Sequence, residues 1–235
     1  MRLATRVCLV LFLALALAAC PAAAQVGIGN CTMGETRAGT GGLGNELEYG
    51  LIVYQWMDPA TCGFCLWSDG AIELRTVEME VFPIHLVAPI EVPATVSVIG
   101  WKGSLGCPVP DEANVIAPAR AVTFVVPPSP PFGRATIRVP FGPGPTFTTP
   151  AFLKVDFPAA PTGSRSFAIA EVVSGDCPTC RQYQTSALGL RNMTDACVVS
   201  PYGINYPYTL RPRGDCVAVT ANRRTTWGRV KLFYN

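Results

Sequence analysis

Short runs of β-branched and aromatic residues, separated by Pro, Gly, Asp and Asn, recur along this chain from about residue 47 to its end. Runs of this kind read as strands. In the clearest, Val77, Met79 and Val81 alternate with Glu78 and Glu80. That period of two predicts one face in the core and both glutamates in solvent. Further strands are expected at 47–57, 94–101, 121–126, 135–141, 151–157, 166–173, 216–220 and 226–234. No window carries the apolar stripe and caps of a helix. The nearest, 43–57, is interrupted by Gly50 and has a β-branched centre. The expectation is all-β: an antiparallel, jelly-roll-like sandwich with long Pro/Gly-rich loops and disulfides. The 22 glycines and 22 prolines stay below the roughly 25–30% of low-complexity chains and read as turn punctuation.

The N-terminus fixes the compartment. Arg2 and Arg6 precede an apolar run over 7–19, which Pro21-Ala22-Ala23-Ala24-Gln25 ends with small residues. About 13 residues are too few to span a bilayer but fit the core of a secretory signal. Residues 1–24 are therefore expected to be removed, leaving a flexible arm at 25–45 and a single sandwich domain at 46–235. A second reading stays open. Leu17-Ala18-Ala19-Cys20 resembles a bacterial lipobox, which would lipidate Cys20 and anchor the protein. Either product is extracytoplasmic: secreted, periplasmic or at the cell surface. No second apolar run is long enough to span a membrane.

Eight cysteines lie beyond the signal: Cys31, Cys62, Cys65, Cys107, Cys177, Cys180, Cys197 and Cys216. In an exported chain an even set reads as disulfides, although roughly a hundred pairings are possible and spacing selects none. Cys62-Gly63-Phe64-Cys65 and Cys177-Pro178-Thr179-Cys180 are both C-x-x-C. They lie on the order of a hundred residues apart, against about 15–20 for structural zinc. Neither has the strand–helix context of a redox motif. No metal and no cofactor is expected.

Residues 1–24 hold two arginines and no acid, so their loss brings the 18 basic groups level with the 16 acidic ones. A neutral chain without a Lys/Arg cluster has no footprint for nucleic acid. His85 is the only histidine. Between Ile84 and Leu86 it reads as an ordinary strand residue, and no G-x-S-x-G elbow offers it a nucleophile. Asp58, Asp69, Asp111, Asp176, Asp195 and Asp215 lie in turn-like contexts. No catalytic residue is assigned. Arg213-Gly214-Asp215 matches the integrin-recognition tripeptide, but before Cys216 it reads as a turn into a disulfide-fixed strand. Asn30 and Asn192 head glycosylation sequons. Tyr202, Tyr206 and Tyr208, stiffened by Pro201 and Pro207, form the candidate ligand-binding surface, since tyrosine offers contact area at low entropic cost. The expected function is a non-catalytic binding or surface-structural module whose partner is a glycan or an envelope protein. A secreted carboxylate-dependent hydrolase and a lipid-anchored envelope lipoprotein are the alternatives.

Overall fold

The structure is a computed structural model. It describes residues 30–34, 39, 50–62, 70–129, 133–158, 167–170, 179–186, 194–195, 199–200, 203–204 and 207–218. These form an all-β structure of two packed antiparallel sheets, a β-sandwich. The strands, in chain order, are β1 (Cys31–Thr32), β2 (Leu51–Met57), β3 (Gly70–Pro83), β4 (Ile90–Ser104), β5 (Cys107–Val126), β6 (Ala135–Pro140) and β7 (Thr146–Phe147). They continue with β8 (Ala151–Phe157), β9 (Phe167–Ile169), β10 (Gln182–Ser186), β11 (Thr194–Asp195), β12 (Val199–Ser200), β13 (Gly203–Ile204) and β14 (Leu210–Ala218). The first sheet runs β1-β14-β3-β6, with β7 and β9 also paired to β3, and the second runs β11-β10-β2-β8-β4-β5. Among the described residues β12 and β13 pair with each other.

The core lies between the sheets and follows the alternation of their strands. Ile72, Leu74, Val77, Met79 and Val81 of β3 meet Leu51 and Val53 of β2, Val96 and Val98 of β4, and Leu153, Val155 and Phe157 of β8. Burial of this kind is the main favourable term in folding. One polar cluster crosses it. The Gln182 amide donates to Gln55 Oε1 at 2.7 Å and to the Tyr208 carbonyl at 2.9 Å, while its oxygen accepts from Tyr208 N at 2.6 Å. The side chain thus pairs like a short length of strand and ties β10 to the segment entering β14. Buried amides persist in a core only when paired in this way.

β4 and β5 form a hairpin much longer than the strands expected at 94–101 and 121–126. A two-residue turn, Leu105-Gly106, joins them. Pro108, Pro110 and Pro118 obscure β5 in the sequence, but β5 is the edge of its sheet, where proline loses no ladder bond. Its register against β4 slips repeatedly: Val96 faces Arg120, Val98 faces Ala117, Ile99 faces Val115 and Gly100 faces Asp111. Residues 112–114 and Ile116 are therefore surplus, and 118–119 together face the single residue Ser97, so β5 bulges out at each place. Gly100 permits the first bulge, because a Cβ there would collide with the Asn114 side chain.

Three expectations are corrected. Glu78 and Glu80 are not in solvent; both are buried, Glu78 at 1% exposure. His85 is not a strand residue. It lies beyond β3 in an exposed turn at φ 52°, a left-handed conformation in which histidine is enriched. Arg213-Gly214-Asp215 is not a turn but part of β14, with a register shift between Arg213 and Gly214. The Pro-rich break at 127–131 joins β5 of the second sheet to β6 of the first, so strands from both sides of it share each sheet. The expected strand at 226–234 and, of the arm at 25–45, residues 25–29, 35–38 and 40–45 lie outside the described residues.

Candidate functional site

Carboxylates are the first candidates for chemistry, and along β3 they are held by arginines. Glu78 pairs with Arg138 Nε at 2.7 Å and with Arg213 Nε at 2.9 Å. Glu80 pairs with Arg211 at 2.9 Å and with Arg134 at 3.7 Å, and it accepts from the Gly39 N–H at 2.9 Å. Arg75 bridges Glu73 at 2.8 Å and Asp215 at 3.1 Å. The outer face of the first sheet is thus a ladder of alternating charges. Arg213 and Asp215 both belong to it, and Gly214 between them is buried, so the tripeptide is not presented to a partner. Asp58 acts locally, accepting from Ala60 N at the head of a short 3-10 turn, Pro59–Thr61.

The outer face of the second sheet carries aromatics instead. Trp56 meets Phe152 edge-on at 5.0 Å and Trp101 at 5.9 Å, and Phe152 meets Tyr183 at 5.8 Å. Strand alternation puts Tyr54 and Trp56 of β2, Phe152 of β8 and Tyr183 of β10 on this side. The far part of the β4–β5 hairpin folds over them. The Cys107–Cys180 disulfide and the Tyr183 hydroxyl, which donates to the Pro108 carbonyl at 2.9 Å, fasten it there. These rings are buried, so the cluster is a second core rather than an open platform. Burial of Tyr183, with Asp195 nearby, pushes its hydroxyl above the usual tyrosine range.

The first β5 bulge is pinned to the same face. Tyr54 Oη donates to Glu112 Oε1 at 2.5 Å, and Lys154 Nζ reaches both carboxylate oxygens at 3.0 and 2.9 Å. Burial pushes Glu112 upward, but the hydrogen bonds from Tyr54 and Lys154 and the ammonium charge outweigh it and leave the carboxyl below its usual range. Burial pushes the Tyr54 hydroxyl well above its usual range, with the bond to Glu112 and the charges of Glu112 and Asp156 adding to it. A carboxyl lowered by folding contributes stability above its ordinary range and loses it as the pH falls through the lowered value. Tyr54→Phe is therefore expected to cost about 1 kcal/mol near neutral pH. Its stability should converge toward that of the wild type in acid, as urea titrations at several pH values would show.

The cysteines resolve into specific bridges. Cys31 pairs with Cys62 and Cys107 with Cys180. Cys216 is also disulfide-bonded. Each C-x-x-C thus sends one cysteine to a distant partner, which leaves neither motif as an internal redox pair. Cys65, Cys177, Cys197 and the lipobox Cys20 lie outside the described residues. So do Tyr202 and Tyr206. Tyr208 is described and is 3% exposed, with its ring in the core, so it does not offer that ring to a ligand.

Two hollows remain. One, on the outside of the second sheet, is lined by Pro93, Thr95, Thr123 and Asp156 among others, and Asp156 is its one carboxylate. The other opens between the sheets with a volume of about 490 Å³. Its floor is core: Leu74 of β3, Val96 and Val98 of β4, and Phe141. One wall is the second β5 bulge, 117–120, and the other is the loop 143–145. That loop is held against β3 by Phe141 N to the Arg75 carbonyl at 2.6 Å and by Leu74 N to the Pro145 carbonyl at 2.9 Å. Gly144 is required there, because a Cβ would run into the Leu74 carbonyl oxygen. No residue lining this cleft is acidic. Sequence reasoning missed it, since it exists only where the β5 register slips.

Among the described residues no group of three or more His, Cys, Asp or Glu is placed to hold a metal ion. No helix among them is long and apolar enough to cross a membrane. Comparison of the chain with protein-family models, with curated proteins and with solved structures gives no match in any of the three.

Proposed function

We propose that this chain is an exported β-sandwich binding module of the cell envelope or extracellular space, one that holds a ligand rather than transforming it. The observation that carries the reading is the open cleft between the sheets, apolar on its floor and free of carboxylates. A hydrolase built on a carboxylate pair needs two acids facing one space. On β3 the glutamates are instead bound up with arginines. Small-molecule sites are concave and mostly apolar with a few placed polar groups, and this cleft has that character. The sandwich is read as jelly-roll-like because the chain repeatedly changes sheet, as from β2 to β3, β3 to β4, β5 to β6 and β8 to β9. Residues 46–235 are taken as one domain on the same ground.

Export rests on the N-terminal signal. Fractionating a producing cell and weighing the intact protein tests it, with Gln25 expected as the new N-terminus. Lipidated Cys20 would make it the anchored lipoprotein, and an unprocessed Met1 in the cytoplasm would overturn export. Incubating the processed protein with panels of glycosides, esters and peptides tests the rest. No turnover is expected, and turnover lost in a folded Asp or Glu variant would replace the binding reading with the hydrolase.

A further inference from the structure

We infer that the cleft between the sheets takes the alkyl chain of a single-tailed carboxylate, with Arg120 at its rim receiving the head group. The inference rests on the binding reading above and names its ligand class. Of the twelve lining residues, Ser97 and Arg120 alone carry side-chain hydrogen-bonding groups; the rest are aliphatic, Gly, Pro or Phe141. A sugar needs a polar partner for most of its hydroxyls, and an extended peptide needs partners for its amides, since unpaired polar groups are costly to bury. An alkyl chain needs none. It would lie over a floor of buried core side chains, Leu74, Val96 and Val98, and cover the exposed apolar walls at Pro118, Ala119 and Pro143. A volume of about 490 Å³ equals roughly sixteen water-sized units of about 30 Å³ each, and a methylene is close to that size. After allowance for imperfect filling, that is room for about ten carbons.

The head group follows from charge. Seven arginines lie among the described residues, and Arg75, Arg134, Arg138, Arg211 and Arg213 each pair with a carboxylate. Arg181 sits over the Trp56 ring away from the cleft. Arg120 has no acidic partner among the described residues. Its guanidinium lies 5.8 Å from the centre of the Phe141 ring, a cation–π contact that holds the charge at the mouth. The planar fork of a guanidinium matches a carboxylate at two points. The bulge that opens the cleft also delivers this arginine, since the slip between Val96 facing Arg120 and Val98 facing Ala117 displaces Pro118 and Ala119 between them.

The test is calorimetric titration of the full processed protein with decanoate at neutral pH, below its micellar range. Decanol and decyltrimethylammonium serve as neutral and cationic controls. Saturable one-to-one binding of decanoate is expected, with decanol about tenfold weaker and the cation weaker still. Arg120→Gln, an exposed substitution, should bring decanoate down to the level of decanol. Ala119→Trp, which fills the mouth, should abolish binding of both. Absence of saturable decanoate binding, or affinity unchanged in both variants, would overturn the inference. If decanoate fails while another ligand class binds saturably, the ligand is wrong and the binding module stands. If carboxylate-dependent turnover appears, the binding reading itself falls.

Discussion

Replacing Cys107 and Cys180 together by serine is expected to lower the free energy of unfolding by about 4 kcal/mol. The bridge joins residues 73 apart in sequence. In the chain-entropy account, closing a loop of that length in the unfolded state is worth about 4.4 kcal/mol at 25 °C. For a chain of this size the loss corresponds to roughly 8–16 °C in melting temperature. The same substitution at Cys31 and Cys62, 31 residues apart, should cost somewhat less, about 3.7 kcal/mol. The two bridges also differ in what they hold. Cys107 begins β5 at the far end of the hairpin, and Cys180 lies two residues before β10, so their bond presses the hairpin onto Trp56, Phe152 and Tyr183. Without it the Tyr183–Pro108 hydrogen bond, the aromatic contacts and the bonds from Tyr54 and Lys154 to Glu112 must hold that flap. Tryptophan emission should therefore shift to the red at lower urea concentrations than those at which the circular dichroism of the sheets is lost. A single coincident transition within about 1 kcal/mol of the wild type would show that the bridge restrains nothing that packing had not already fixed.

How much of this was legible follows from where each signal resides. Alternation is local, so the strands at 77–81, 135–140 and 151–157 could be read from neighbouring residues. The length of β5 could not, because three prolines mark a loop unless the strand is known to be an edge, and edge position belongs to the whole sheet. The burial of Glu78 and Glu80 was hidden for a related reason. Their partners lie far away, Arg138 at a separation of 60 and Arg211 at 131. One signal was present: Arg211 and Arg213 repeat the same two-residue spacing as Glu78 and Glu80, as two strands sharing an ion-paired face would. The disulfide partners and the cleft had no local signal at all. Pairing depends on which chain ends meet, and the cleft depends on a bulge that sets two residues of β5 against one of β4. Tyr208 was misread through its neighbours: turn residues suggested a surface, whereas Gln182 draws its backbone into the sandwich.

The ladder on β3 gives the other large effect. Removing both cations from Glu78, as Arg138→Ala with Arg213→Ala, is expected to destabilise the fold by about 3 kcal/mol, toward the low end of what breaking a buried ion pair costs. The low end applies because both arginines are partly exposed, so water can enter the space they vacate, while the Glu78 side chain is only 2% exposed. The asymmetry of burial sets the order of the variants. Glu78→Gln removes the buried charge and leaves two guanidiniums that can turn to solvent, so it should cost less than the double arginine variant. Replacing all three together by Met at 78 and Leu at 138 and 213 should cost least, because well-packed apolar groups lose little against a buried ion pair. Urea midpoints of the three variants decide the matter, provided the denaturant slopes stay equal. If the double arginine variant were as stable as the wild type, the carboxylate would be hydrated and the face wet, as the alternation of β3 first suggested. If the apolar triple were the least stable instead, the pair would contribute net attraction beyond the cost of desolvating it, and the ladder would be a source of stability. The expected order makes the ladder a device for register. Arg211 stands opposite Glu78 across β14 and β3, and Arg138 opposite Glu78 across β6 and β3. A slip of one residue would set Arg211 and Arg138 opposite Val77 or Met79 and carry their charges to the covered face, away from Glu78.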